Sequence, residues 1–176
     1  MKMLAGSIEN WSSLYSRALR YLKPETGVFE HVEIDLTPKC EDGELPEDSH
    51  LRIWAHELAI AMERAGRPIT VNPHTVGLLE RLGYVDVKQI SKRIPFNSWP
   101  SDENEKEIGQ WFNLWVTQGL HALSVAPLTR MNGYDPEQVQ NLIAKVRKEI
   151  CSRGLRTYCT MYIWTARRPS IPGQRA

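Results

Sequence analysis

Hydrophobic and polar positions along the chain follow two periods. From Thr157 to Arg167 the chain reads TYCTMYIWTAR, with no charge, glycine or proline between Tyr158 and Ala166. A segment apolar on both alternating faces predicts a strand covered by helices on both sides. Two other segments alternate. VFEHVEIDL places Val28, Val32, Ile34 and Leu36 on one face and Phe29, His31, Glu33 and Asp35 on the other. GYVDVKQISKRIPF loses its alternation between Val87 and Ile90 and carries Lys88, Lys92 and Arg93, the pattern of an edge strand. The apolar strand is therefore expected between the other two, antiparallel to its neighbours.

The remaining apolar positions recur at helical spacing. Trp11, Leu14, Tyr15, Ala18 and Leu22 form one stripe, with Asn10 or Ser7 as cap and Pro24 beyond its end. Leu51, Trp54, Ala55, Leu58, Ala61, Met62 and Ala65 form a second, closed by Gly66. Pro73 is expected at the first position of a short third helix carrying Val76, Leu79 and Leu82. Asp102 with Glu105 predicts a capping box for a fourth, whose stripe is read as Ile108, Trp111, Phe112, Trp115, Gly119 and Leu123. Asp135, Pro136 and Gln138 open the fifth, with Val139, Leu142, Ile143, Val146 and Ile150 on its apolar face. Thr37 to Ser49 reads as a loop. Strands separated by helices make this an α/β chain.

Composition narrows the chemistry. The 176 residues suffice for one domain, and a net charge of +1 gives no argument for direct nucleic-acid or membrane binding. Cys40, Cys151 and Cys159 are too few and too scattered for a disulfide framework or a cysteine-rich zinc site, which favours a reducing compartment; Cys151 and Cys159 fall where buried thiols are common. The N-terminus lacks the long apolar run of a signal peptide. Ligands of open α/β sheets bind beyond the carboxyl ends of the strands, which directs attention to Glu33 and Asp35 with His31 behind them. Carboxylates there can hold an acceptor group, act as a base or bind a ribose. Solvated carboxylates are the commoner outcome at strand ends, and a histidine bonded to a neighbour is the commoner fate of His31. No second ligand stands at metal spacing from His31, so no metal is expected. Trp99, Trp111 and Trp115 are candidates for an apolar acceptor pocket, though Trp111 and Trp115 at helical spacing are expected in the core.

The segments LAGSIENWSSLYSRALRYLKP, FEHVEID, CEDGELPEDS, ERAGRPI, LLERLGYVDV, RIPFNSWPSD, GQWFNLWVTQGLHALSVAPLTRMNG, KVRKEICSR and YCTMYIWTARRP resemble the C-terminal half of LaeA-type fungal methyltransferases, over about residues 3 to 169. RIPFNSWPSD and TQGL are the specific segments; LxxxGYxDV and the last strand are shared by generic methyltransferases. The resemblance implies a class I, Rossmann-like fold with the last strand antiparallel and inserted between the two before it. It implies S-adenosyl-L-methionine as cofactor, velvet-family proteins as partners, and a regulator of transcription, secondary metabolism and sporulation in the nucleus or also the cytoplasm.

The same resemblance sets limits. The Gly-rich turn after the family's first strand and its acidic cofactor contacts have no counterpart here, so residues 1–169 are read as the C-terminal half of a methyltransferase domain and residues 170–176 as a disordered tail. Met3 to Ser7 is read as the end of a strand and its following loop, with Gly6 and Ser7 toward the cofactor and Trp11, Tyr15, His31, Glu33 and Asp35 on the acceptor side. The chain alone is expected to bind cofactor weakly or not at all and to lack activity. The other reading is a non-catalytic module, or a truncated fragment, that binds velvet-family proteins. The turn Pro24-Glu25-Thr26-Gly27 has one residue more than the family's Pro-Gly-Gly and is expected to be looser.

Overall fold

The computed structural model describes residues 1–170; the expected tail lies, from residue 171 on, outside them. The order is α1 (Trp11–Tyr21), β1 (Val28–Cys40), α2 (His50–Arg64), α3 (Thr75–Arg81), β2 (Val85–Pro95), α4 (Glu103–Asn132), α5 (Pro136–Cys151) and β3 (Thr157–Arg167). The sheet order is β1-β3-β2, and β3 is antiparallel to both neighbours. The expected fold class and topology are thus found. The outer side of β1 carries one further pairing: Lys2 forms a parallel bridge with Val32, as Met3 N–H donates to Val32 C=O at 2.9 Å and Val32 N–H to Met1 C=O at 2.9 Å.

The central strand is covered on both faces, as its composition requires. Cys159 and Met161 point into a cluster built by α2, α4 and α5 with Ile94 and Phe96, while Trp164 and Ala166 point into a second cluster with α1, α3, Phe29 and Tyr84. Both faces of β1 are used as well: Ile34 and Leu36 pack on the first cluster and Phe29, His31 and Glu33 are buried on the second side. The strand continues to Cys40, into the segment read as a loop, past a register shift between Asp35 and Lys39.

Several local expectations change. The stripe of α4 is rotated from the one its large residues mark. Gly109, Phe112, Val116, Leu120, Ser124 and Leu128 are buried, whereas Ile108, Trp111 and Trp115 are exposed, Trp111 to 66%. The core face is set by two residues without hydrophobic signal. Gly109 lets the helix approach Asn97, and Ser124 accepts the Trp54 Nε1–H at 2.8 Å while donating to Leu120 C=O at 2.5 Å. A small or polar residue is at home in a core when space or a partner requires it.

Caps follow the sequence with two exceptions. Asn10, Ser49, Asp102 and Asp135 all accept a backbone N–H in the first turn, and Asp135 with Gln138 forms a full capping box. At α4 the box is half made: Glu105 N–H donates to Asp102, but the Glu105 carboxylate is taken by Arg93 at 2.6 Å. Charge pairing across elements outcompetes the local cap here, since Arg93 also binds Glu41 and lies over the rings of Trp99 and Tyr158. Helix α3 starts at Thr75 with His74 as its cap position, so Pro73 stands outside it. The Pro24–Gly27 turn is pinned, not loose: Glu25, at a φ of 62°, donates its N–H to Arg168 C=O at 3.1 Å. Cys151 is exposed at the end of α5, while Cys159 is buried.

Candidate acceptor site

The site begins with the i, i+2 spacing of His31 and Glu33, which puts both on the inner face of β1. Neither is solvated; both are at least 97% buried. Glu33 accepts from Leu4 N–H at 2.7 Å and Ala5 N–H at 3.2 Å, and its Oε1 lies 2.9 Å from His31 Nε2. A carboxylate only accepts, so Nε2 carries the proton and Nδ1 is left to accept from the Tyr15 hydroxyl, 3.0 Å away. Tyr84 O–H donates to Tyr15 C=O at 2.9 Å. The imidazole is flanked by Trp11 and Trp164, with ring centroids at 4.8 and 5.1 Å. Tyr15, His31 and Glu33 thus form one closed hydrogen-bond chain, whose far end ties the N-terminal segment to β1.

Burial, then the Glu33 charge and Tyr84, hold the Tyr15 phenol well above its ordinary value, and burial pushes Tyr84 up to about 12. Neither serves as a base near neutrality. The folded state keeps protons that these tyrosines release near pH 10 when unfolded. Their contribution to stability is therefore complete below pH 10 and is lost as pH rises through about 12 for Tyr84 and higher still for Tyr15. The urea midpoint is expected to stay level up to about pH 9 and to fall above pH 10; a level midpoint throughout would contradict the burial of both phenols.

Two cavities meet at Glu33. The smaller, ≈ 20 Å³, is lined by Ala5, Trp11, Tyr15, His31, Glu33 and Trp164 among others, room for about one water. The larger, ≈ 360 Å³, lies at the outer side of β1 and is lined by Gly6, Ser7, Glu33 and Ile34, by Leu58 and Met62 of α2, and by Trp115, Leu123 and Pro127 of α4. Gly6 takes a φ of 78°, and a Cβ there would stand 3.0 Å from Ile69 and 3.3 Å from Met62. Arg67 fixes the loop by donating to Ser7 C=O at 3.1 Å and pairing with Glu9 at 2.7 Å.

Of the expected site residues, the structure brings Gly6, Ser7 and Glu33 to one cavity and Trp11, Tyr15, His31 and Glu33 to the other. Asp35 stands apart, accepting from Thr37 N–H and Oγ1–H in a turn of its own. Trp99 also lies elsewhere, donating to Thr157 C=O at 2.8 Å. A cleft of ≈ 870 Å³ between Thr37–Glu47 and α2 holds none of the expected residues. Trp115 lines the larger cavity, as a pocket residue and not as core. Met62, Ile69 and Pro127 carried no signal of a site, being ordinary apolar residues that only packing brings together.

In the larger cavity Ser7 and Glu33 supply the oxygen-bearing side chains, and both Glu33 oxygens are engaged. A free carboxylate of the kind that binds the ribose hydroxyls of S-adenosylmethionine is not among these side chains.

No protein-family model matches the chain. It is 45% identical over 170 residues to the secondary metabolism regulator LAE1 of Cochliobolus heterostrophus, covering 96% of this chain and 55% of that protein. The secondary metabolism regulator laeA of Gibberella zeae is 40% identical, with 98% of this chain and 55% of that protein covered. The protein-methionine methyltransferase laeA of Chaetomium globosum is 42% identical over 148 residues, 84% of this chain and 46% of that protein. The chain thus matches the LaeA type along nearly all of its sequence and spans about half the length of the curated relatives it matches. Among solved structures, the phosphoethanolamine N-methyltransferase 2 of Haemonchus contortus with bound S-adenosylmethionine gives a TM-score of 0.47 at 13% identity, over 96% of this chain and 32% of that one. A methyltransferase-like protein of Bacillus halodurans gives 0.41 at 15% identity, over 96% and 68%.

Proposed function

We propose that this chain, homologous along nearly its whole length to LaeA-type secondary metabolism regulators, forms the acceptor side of an S-adenosylmethionine-dependent methyltransferase of that type. The observation that carries this reading is the apolar cavity beside Glu33, which lies beyond the strand-like pairing of Met1–Met3 and beside β1, where open α/β sheets hold ligands. Glu33 fixes the cavity wall through Leu4 and Ala5, and His31 and Tyr15 hold Glu33 in place.

The lining supplies no free base. That suits an acceptor with no proton to lose, such as a methionine thioether, and the name of the Chaetomium globosum relative supports the same class. The acceptor sulfur would form the new S–C bond with its own lone pair, the electrons of the breaking bond returning to the donor's sulfur, and the acceptor would end as a sulfonium with no proton released. The residues of this chain bind and orient the acceptor and exclude water from it.

The reading extends to a nuclear role with velvet-family partners, as the resemblance implies. A chimera tests both parts: this chain replaces the matching segment of the Chaetomium globosum relative. The chimera is expected to transfer labelled methyl groups to protein methionine and to capture a velvet-family protein. Absence of transfer in a folded chimera would refute the enzymatic reading; failure to capture a velvet protein that the intact relative captures would refute the partner.

A further inference from the structure

One face of the sheet is covered along only part of its length. Ile34 and Met161 pack on the cluster formed by α2, α4 and α5, and Ile94 and Cys159 lie within it. One row further on, Val32, Ile163 and Ile90 stand directly opposite one another across β1, β3 and β2, so their side chains share that face. None of them belongs to either core cluster, and neither does Val28. Val28 is 57% and Ile90 50% exposed. Beyond this row stand Glu30, Thr165 and Lys88, then Val28 and Arg167. Lys2 adds to the β1 side, where its Nζ lies 3.5 Å from Glu30 Oε1. Lys88, Lys92 and Arg167 are exposed and make no ion pair among the described residues. The carboxylates of these rows are Glu30, held by Lys2, and Asp86, in the β2 bulge between Val85 and Lys88, so cations outnumber them.

The rest of the sheet indicates what fits. Its opposite face takes α1 and α3, and this face takes α2, α4 and α5 as far as Ile34 and Met161, so the uncovered part lacks a helical layer. Strands at a spacing of about 4.8 Å make the sheet β1-β3-β2 a strip about 10 Å wide, the diameter of one helix. From Val28 to Ile34 the strip is about 20 Å long, or about 13 residues of helix. We propose that this strip is a docking surface for an amphipathic helix of another polypeptide, with aliphatic residues toward Val32, Ile163 and Ile90 and carboxylates on its flanks toward Lys2, Lys88 and Lys92. Charge complementarity selects the occupant: two copies of this chain placed strip to strip would oppose lysine to lysine. The strip is turned away from Tyr15, His31 and Glu33, which pack on the other face, so its occupant takes no part in methyl transfer.

The test uses the whole chain and two peptides of about 14 residues, with identical leucines at helical spacing and flanks of glutamate in one and lysine in the other. Binding is followed by NMR on the isoleucine and valine methyl groups. The glutamate peptide is expected to shift Val28, Val32, Ile90 and Ile163, to bind about tenfold more tightly than the lysine peptide, and to weaken as salt is raised. Lys88→Glu with Lys92→Glu, at two exposed positions, is expected to abolish that preference, and Ile90→Ser to weaken binding of both peptides several-fold, each at a thermal midpoint close to that of the wild type. Binding of neither peptide, equal binding of both, an unchanged preference in the double variant, or shifts confined to α4 would overturn the docking surface. So would self-association of the chain in sedimentation that Ile90→Ser abolishes, because the strip would then belong to a second copy.

Discussion

Gly109→Ala is expected to lower the unfolding free energy by about 3 kcal/mol or more. A Cβ at Gly109 would stand 2.2 Å from the carbonyl oxygen of Asn97 and 2.8 Å from its carbonyl carbon. These are backbone atoms, and they have little room to yield. Phe96 N–H donates to Thr157 C=O, and Asn97 Nδ2 donates to Ile150 and Ser152 C=O at 2.9 and 3.1 Å. Asn113 adds bonds to Phe96 and Ile150 C=O. The junction between β2 and α4 is thereby locked to β3 and α5, and pushing it away loosens three elements together. Gly119→Ala in the same helix is the internal control. Its Cβ would meet only Leu123 Cδ1, at 3.7 Å, so it is expected to stabilise by about 0.5–1 kcal/mol through helix propensity. Urea denaturation of the two variants compares opposite signs within one helix. A Gly109→Ala protein as stable as the wild type would show that α4 does not approach Asn97 this closely.

Glu33→Ala is the second large effect. It removes the acceptor of three donors, Leu4 N–H, Ala5 N–H and His31 Nε2–H, in a region with little access to water. Stranding these donors is expected to cost about 3 kcal/mol. The loss has a specific location. The Leu4 and Ala5 amides are expected to exchange with solvent far faster than in the wild type, while amides of β3 slow or quicken only with global stability. Glu33→Gln keeps one carbonyl oxygen but turns an NH₂ toward one of the two backbone donors, so an intermediate loss is expected. Unchanged protection at Leu4 and Ala5 in Glu33→Ala would refute the role of Glu33 as the clamp of the N-terminal segment.

The candidate site was legible in the sequence as a set of residues, and illegible as a circuit. His31 and Glu33 were visible as neighbours on one strand face, and Trp11 and Tyr15 as the start of an amphipathic helix. Nothing in their spacing said that α1 would lay Tyr15 over His31, or that Glu33 would be turned inward to hold Leu4 and Ala5. The general tendency of strand-end carboxylates to face water pointed the other way. Tertiary packing overruled it because the first residues of the chain run beside β1 and bring unpaired N–H groups that need an acceptor.

Helix α4 teaches the same lesson from the opposite side. Large apolar residues mark Trp111 and Trp115 as core, yet the helix buries Gly109 and Ser124 and leaves both tryptophans exposed. Orientation of a helix is settled by the whole surface it meets: close backbone contact at Asn97, a hydrogen bond from Trp54, and the stripes of α2 and α5. Hydrophobicity summed along one helix is blind to all three.

By itself, the sequence determined the elements and the sheet order. A strand apolar on both faces has to be central, a strand broken by lysines has to be at an edge, and Asp102 and Asp135 have to start helices, because each of these follows from local periodicity or from satisfying a local backbone group. The tertiary structure alone decided which face of α4 turns inward, where Glu33 points, and that Gly6, Trp115 and Pro127 share one cavity. Those outcomes depend on contacts between residues far apart in the chain, as Gly6 and Pro127 are, and such contacts leave no period in the chain.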